Sequence, residues 1–183
     1  MIYLLYDDGS RSEKVILNEL GGCKGIIQSD GYSPYRKLES DAYPHITRIP
    51  CLQHIKRKFI DCGEDEPDAK RIVELINTLY QNEHKHKIGV DGWTVEQNLV
   101  HRKKYAPDIL GEIKDVLDDI EERGDLLPKS ELKEAVTYLR NEWNAVVDIF
   151  NYGDTYLDNN IVERMNRYIS LSRKNSLFFG SHK

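Results

Sequence analysis

The sequence predicts an α/β fold in which a short strand-containing part is joined to a long helical part. Three short apolar runs lie in the first third of the chain, with helix-like segments between them. After Gln53 the apolar residues recur at steps of three and four, which is the period of an α-helix. The expected division is residues 1–62 for the α/β part, 63–153 for a mostly α-helical insertion, and 154–183 for a last helix with a basic tail.

The strand-containing part is read from apolar runs and the residues that interrupt them. In chain order the expected elements are a strand at 2–6, a helix at 11–20, a strand at 24–30, a short helix or turn at 32–40, and a strand at 45–52. Gly21 and Gly22 stop the first helix. Pro50 indicates a strand end or a sheet edge. Strands separated by helices favour parallel pairing through right-handed crossovers.

The chain after Gln53 is divided into helices by residues that begin or end them. The expected helices cover residues 53–62, 67–83, 94–105, 107–123 and 130–150. Pro67 and Pro107 suit the first turn of a helix. Thr94 and Ser130 are expected N-caps, and Gly124 is an expected stop.

Charge is distributed unevenly along the chain, although the whole carries −5. Residues 1–60 carry a net +2, residues 61–160 carry −11, and residues 161–183 carry +4. An acidic middle between two basic ends hints at nucleic-acid contact through the ends alone. Ordinary variation of surface charge is the alternative.

Other classes of protein fit the sequence poorly. No apolar run approaches the roughly 18 residues of a membrane span, and the N-terminus lacks the basic region of a signal peptide. Three cysteines, Cys23, Cys51 and Cys62, are too few for a disulfide framework. Free thiols in a reducing compartment are therefore expected.

Asp30 is the first candidate site residue. It ends the second expected strand and precedes Gly31, so its carboxylate is expected at the C-terminal edge of the sheet. Open α/β sheets bind ligands at that edge. The alternative is an Asp that caps the next helix or closes an Asx turn.

Glu163 is the second candidate, in the segment Leu157-Asp-Asn-Asn-Ile-Val-Glu-Arg164. From the first turn of a helix it would reach a divalent metal shared with Asp30, because Mg²⁺ prefers oxygen ligands. The spacing of Asn160 and Glu163 also fits a capping box, with Asn160 as N-cap. The sequence leaves both interpretations open.

Basic side chains form two groups of candidate DNA contacts. They are Lys56, Arg57 and Lys58 in the helix expected at 53–62, and Arg164, Arg167, Arg173 and Lys174 in the C-terminal tail. Arginine matches phosphate oxygens in a bidentate manner. A solvated surface without a ligand is the alternative.

Cys51 and His54 form a Cys-x-x-His spacing, which can be half of a zinc site. The other cysteines and histidines offer no convincing second half. The favoured interpretation is a buried Cys51 and a local hydrogen bond from His54. His54 facing the acidic site is the other possibility.

Four blocks occur in a fixed order along the chain. They are Gly25-Ile-Ile-Gln-Ser-Asp-Gly-Tyr32, Cys51-Leu-Gln-His-Ile-Lys-Arg-Lys-Phe59, Leu157-Asp-Asn-Asn-Ile-Val-Glu-Arg164 and Ser172-Arg-Lys-Asn-Ser-Leu-Phe-Phe-Gly-Ser181. Together they resemble the catalytic domain of IS66-family insertion-sequence transposases over essentially the whole chain. The resemblance implies a ribonuclease-H-like core with a helical insertion before the last acid.

The resemblance also implies a DDE site, in which two Asp and one Glu bind two Mg²⁺ or Mn²⁺ ions. Asp30 matches the second acid and Glu163 the third, while Cys51, His54 and Asn160 belong to a signature whose role the residues do not reveal. The implied chemistry is in-line attack at phosphodiesters, by water and then by a DNA 3′-hydroxyl. The implied partners are transposon ends and target DNA. The implied location is the bacterial cytoplasm, in association with the nucleoid. A homo-oligomer and accessory proteins of the same element are left open.

The chain departs from the family pattern at its start. In this fold the first Asp lies on the first of three consecutive antiparallel strands, and residues 2–6 match the third. The first two strands and that acid are therefore expected upstream of Met1, since Asp7 and Asp8 align with a loop. We expect an incomplete core, truncated at both ends, that lacks transposition activity by itself. The alternative function is a non-catalytic DNA-binding or assembly module whose acids only cap helices.

Overall fold

A computed structural model describes residues 12–160, 162–164 and 167 of the 183-residue chain. The strands are β1 (Gly25–Ser29) and β2 (Ile46–Pro50), and the helices are α1 (Glu13–Leu20), α2 (Ser33–Arg36), α3 (Leu52–Ile60), α4 (Pro67–Glu83), α5 (Val95–Arg123) and α6 (Glu131–Ile149). A 3-10 turn at Lys37–Glu39 follows α2. Residues 160, 162–164 and 167 are helical and are named here the C-terminal helical segment. No helix in the described ranges has the length and apolarity that a bilayer crossing requires.

The two strands pair in parallel, with Gly25 opposite Ile46 and Ser29 opposite Pro50. This pairing confirms both expected strands and their direction. The second strand ends at Pro50, two residues before the expected bound, as a proline at a strand end does. Within the described residues the sheet has these two strands. The strand expected at residues 2–6 lies outside the described residues. The mixed α/β class is thus confirmed, while the ribonuclease-H-like core stays a prediction.

Side-chain caps begin the two longest helices. The Thr94 hydroxyl accepts the backbone amide of Gln97 at 3.2 Å, and the Gln97 side chain accepts the amide of Thr94 at 2.9 Å, which completes a capping box. The Ser130 hydroxyl accepts the amide of Lys133 at 3.2 Å. Gly124 ends α5 in the left-handed region, at a φ of 64°. These boundaries agree with the sequence.

Pro107 does not begin a new helix, so the prediction of two helices in this region was wrong. It lies inside α5, which is continuous. Proline removes the hydrogen bond that its amide would give to the carbonyl of Lys103. Pro107 and Lys103 are both exposed, so water can bond to that carbonyl. Ala106 and Ile109 are buried on the opposite side and hold both halves of α5 against the core.

One continuous hydrophobic core joins the helices to the sheet in the described ranges. Apolar faces of α3, α4, α5 and α6 pack together around residues such as Ile72, Leu117 and Val136, all fully buried. Ile49 of β2 and Leu157 belong to the same core. The helices therefore fix the position of the sheet edge at which β1 and β2 end.

Candidate active site

Both strands deliver a candidate residue to the same edge of the sheet. Asp30 follows β1 directly, and Cys51 follows β2 directly. The backbone amide of Cys51 donates to the carbonyl of Ser29 at 3.0 Å, which continues the pairing beyond the strands. Asp30 and Cys51 therefore leave the sheet side by side.

The loop that leads to Glu163 is fastened to this edge. The Gln28 side-chain amide donates to the carbonyls of Tyr156 at 2.8 Å and Pro50 at 3.3 Å. The backbone amide of Leu52 donates to the carbonyl of Leu157 at 2.9 Å. These bonds bring the start of the C-terminal helical segment to the ends of β1 and β2.

Asp30 closes an Asx turn, in which its Oδ1 accepts the backbone amide of Tyr32 at 3.2 Å. The Asx turn, which the sequence offered as an alternative role for Asp30, is therefore present in the structure. It does not exclude metal binding, because a carboxylate has about four lone-pair sites and this bond uses one. Asp30 is half-buried, beside Tyr138 of α6. Burial, with Glu142 and Asp30 nearby, raises the pKa of the Tyr138 phenol to about 12.

Gly31 lets Tyr138 approach the turn. A Cβ at residue 31 would lie 1.9 Å from the Tyr138 hydroxyl and 2.3 Å from two ring carbons. We expect Gly31→Ala to lower the free energy of unfolding by about 1–3 kcal/mol, as overpacking does. Urea denaturation measures this loss.

The matched control is Gly22→Ala, because a Cβ at residue 22 meets no atom of the described residues within 4 Å. The Tyr138→Leu substitution should recover part of the loss in the Gly31→Ala background. Equal stability of the Gly31→Ala and Gly22→Ala variants would show that the contact with Tyr138 is unimportant.

Glu163 lies in the first turn of the C-terminal helical segment. The Asp158 carboxylate accepts the amide of Asn160 at 3.0 Å, and the carbonyl of Asn159 accepts the amides of Val162 and Glu163. The hydrogen bonds of the described residues do not include a capping box between Asn160 and Glu163. Asp158, which the sequence interpretation passed over, is the side chain that begins this segment.

Cys51, His54 and Glu163 converge at this edge. One ligand atom from each residue lies within 4.8 Å of the other two, and His54 Nε2 is 3.5 Å from Glu163 Oε1. His54 therefore lies beside Glu163, one of the two acids of the predicted site. Cys51 is buried, as expected. Burial raises the pKa of its thiol, although the backbone amides of Asn159, His54 and Gln53 oppose this effect.

Basic residues lie on the elements that carry these ligands. On α3, Arg57 and Lys58 are exposed, while Lys56 is half-buried with its ammonium 5.9 Å from the centre of the Tyr80 ring. Residues three and four apart share a helix face, which places Arg57 and Lys58 on the side of His54. On the C-terminal helical segment, Arg164 and Arg167 are exposed. Arg173 and Lys174 lie outside the described residues.

A buried ion-pair network lies beneath Asp30, and sequence reasoning missed it. The Arg48 side chain is fully buried and donates to the carboxylates of Glu142 and Glu39 and, at 3.3 Å, to the Ser29 hydroxyl. The Arg36 guanidinium lies 3.0 Å from Glu142. Burial lowers the pKa of Arg48, but its pairing with Glu142 and Glu39 outweighs this and raises it. The network ties β2 to α6 next to the strand end that carries Asp30.

A second buried network holds the loop that precedes the C-terminal helical segment. The guanidinium of Arg102 on α5 is fully buried and pairs with Glu83 of α4. It also donates to the carbonyls of Ile149, Tyr152 and Thr155. Arg102 therefore connects two helices to the chain that runs on to Leu157 and Glu163.

The comparisons with known proteins assign the chain to a family. The family described as "Transposase IS66 family" matches residues 1–183. A protein of Sinorhizobium fredii with the name "Uncharacterized protein y4jD" is 30% identical over 179 residues, which cover 94% of this chain and 34% of that protein. A second protein of the same organism, "Uncharacterized protein y4qI", is 29% identical over 189 residues, with 99% and 34% covered. The chain thus spans about a third of the length of the curated relatives it matches. No solved structure matches it significantly. The chain belongs to the IS66 family of transposases.

Proposed function

We propose that Asp30 and Glu163 bind Mg²⁺ or Mn²⁺ in a DDE-type DNA transposase that cleaves and transfers DNA strands. The observation that carries this proposal is the shared sheet edge. Asp30 follows β1, and the loop that leads to Glu163 is hydrogen-bonded to Gln28 and Leu52 at the same end of the sheet. Family membership suggests the reaction class, and the carboxyl ends of the strands are where open α/β sheets bind their ligands.

The donor chemistry of the two acids fits such an ion. Mg²⁺ takes oxygen ligands and keeps several waters, so it needs only one or two carboxylates besides its substrate. Asp30 gives one oxygen to the Tyr32 amide, and the Glu163 side chain is 42% exposed. Both carboxylates therefore keep the capacity to accept a metal.

The residues of this chain would hold the ions and orient DNA beside them. Divalent ions, when bound, stabilise the charge on the attacking and leaving oxygens of an in-line displacement. The Asx turn fixes the Asp30 carboxylate, and the first helical turn presents Glu163 beside His54. The exposed Arg57, Lys58 and Arg164 are placed to neutralise phosphates along the DNA backbone.

The test is strand cleavage by a full-length IS66-family transposase that carries this segment. We expect Asp30→Asn and Glu163→Gln each to lower the Mg²⁺-dependent cleavage rate more than about a hundredfold. Replacing a residue that only hydrogen-bonds to a metal ligand already lowers metal affinity or activity about 10–100-fold. Each variant loses one negative charge and keeps its shape. DNA binding, measured in parallel without divalent metal, should not weaken.

Two exposed acids on the helices serve as matched controls. Asp108→Asn and Glu134→Gln make the same chemical changes on exposed faces of α5 and α6 and should leave cleavage unchanged. Cleavage at the wild-type rate in both site variants, with DNA binding intact, would favour a non-catalytic DNA-binding or assembly module instead.

A further inference from the structure

We propose that Cys51, His54 and Glu163 form a binding site for a borderline-soft divalent ion of the Zn²⁺ or Co²⁺ class. The three residues come from three places in the chain: the residue before α3, the first turn of α3 and the C-terminal helical segment. One ligand atom of each lies within 4.8 Å of the other two. The site is distinct in chemistry from an all-carboxylate Mg²⁺ site.

The donor set selects the class of ion. Sulfur, imidazole nitrogen and carboxylate oxygen together are a donor set that zinc accepts, whereas Mg²⁺ takes oxygen alone. Three protein ligands leave a fourth tetrahedral position for water or substrate. The His54 and Glu163 side chains are 29% and 42% exposed, so that position can open to solvent.

The surroundings of the ligands supply a second, independent observation. His54 Nδ1 is buried and has no hydrogen-bond partner among the described residues, and Nε2 lies 3.5 Å from Glu163, beyond normal hydrogen-bond length. Buried ring nitrogens are normally paired, so an ion coordinated through Nδ1 would supply a partner that the described residues do not. The backbone amides of Asn159, His54 and Gln53 oppose the rise in the pKa of the Cys51 thiol that burial causes, and they would likewise stabilise a metal-bound thiolate.

The site proposed here shares Glu163 with the proposed Mg²⁺ site but does not use Asp30. An experiment can therefore contradict this site without contradicting the proposed transposase function, and the reverse. In the full-length transposase, Asp30→Asn should lower Mg²⁺-dependent cleavage more than about a hundredfold while leaving a Cys51-bound ion in place. An absent thiolate–metal signal, together with cleavage that depends on Asp30 and Glu163, would remove the second site alone.

Co²⁺ titration of the reduced chain tests this proposal, because thiolate-bound Co²⁺ has a near-ultraviolet charge-transfer band and intense visible bands in tetrahedral geometry. We expect one equivalent of Co²⁺ to produce these bands and Zn²⁺ to displace it. Cys51→Ser should remove the charge-transfer band. Cys62→Ser and Cys23→Ser, which change thiols outside the cluster, should retain it.

A second variant keeps the test decisive if the buried Cys51→Ser protein folds poorly. His54→Gln changes a partly exposed residue, and circular dichroism checks that it folds. It should weaken Co²⁺ binding at least about tenfold. A wild-type chain that gives no thiolate band, or a band that survives Cys51→Ser or disappears with Cys62→Ser, would overturn the proposal.

Discussion

Replacement of Glu142 by alanine is expected to lower the free energy of unfolding by about 3–5 kcal/mol, because it leaves the buried Arg48 without its main counter-charge. Both side chains are completely buried, and both belong to the network beneath Asp30. A typical domain has only about 5–15 kcal/mol of stability, so this loss is large. Urea denaturation followed by circular dichroism measures it.

Two further variants separate the ion pair from simple loss of side-chain volume. Glu134→Ala removes an exposed carboxylate from the same helix and should change stability by less than about 0.5 kcal/mol. The double variant Arg48→Met with Glu142→Leu should be more stable than Glu142→Ala, since no buried charge remains unpaired. If Glu142→Ala costs no more than Glu134→Ala, the buried pair does not hold β2 against α6.

Replacement of Arg102 by methionine is expected to cost about 3–5 kcal/mol as well, because it leaves Glu83 as an uncompensated charge that is largely buried. Several loop carbonyls would also lose their donor. Arg102→Lys should recover only part of the loss, because a single ammonium cannot replace a planar guanidinium with several donors. Lys104→Met, an exposed change on α5, is the matched control.

The cost of Arg102→Met should depend on pH with a definite sign. In the wild-type chain burial raises the pKa of Glu83, but Arg102 and other partners outweigh this and lower it. That stabilisation is present at neutral pH and is lost as the pH falls through the lowered pKa. Without Arg102, burial would dominate, and protonation of Glu83 would relieve the unpaired charge. The difference in stability between the two proteins should therefore shrink from pH 7 to pH 4, and a constant difference would contradict this account.

Local signals in the sequence predicted much of the fold. The caps at Thr94 and Ser130 and the two strands depend on neighbouring residues, and they lie where they were expected. The predicted break at Pro107 was wrong because buried residues on both sides of the proline hold α5 against the core, while Lys103 and Pro107 themselves are exposed. A strong local rule was overridden by tertiary packing.

Contacts between distant parts of the chain could not be read from the sequence. Glu142 interrupts the apolar stripe of α6 beside Leu139, which signals a buried polar group, but its partner Arg48 is 94 positions away. The Cys51–His54 spacing was visible, yet nothing local indicated that Glu163 would be the third member of that cluster. Sequence patterns identified residues capable of chemistry, but they did not predict which of these residues contact one another in the folded chain.

The central claim is that Asp30 and Glu163 bind one ion. Titration of the chain with Mn²⁺ tests it, because electron paramagnetic resonance measures the free ion and its signal falls as Mn²⁺ binds. We predict that Asp30→Asn and Glu163→Gln each weaken Mn²⁺ binding at least about tenfold. The loss of binding free energy in the double variant should be smaller than the sum of the two single losses, because two ligands of one ion are not independent. Mn²⁺ affinity that is unchanged in both single variants, or losses that simply add in the double variant, would contradict the account.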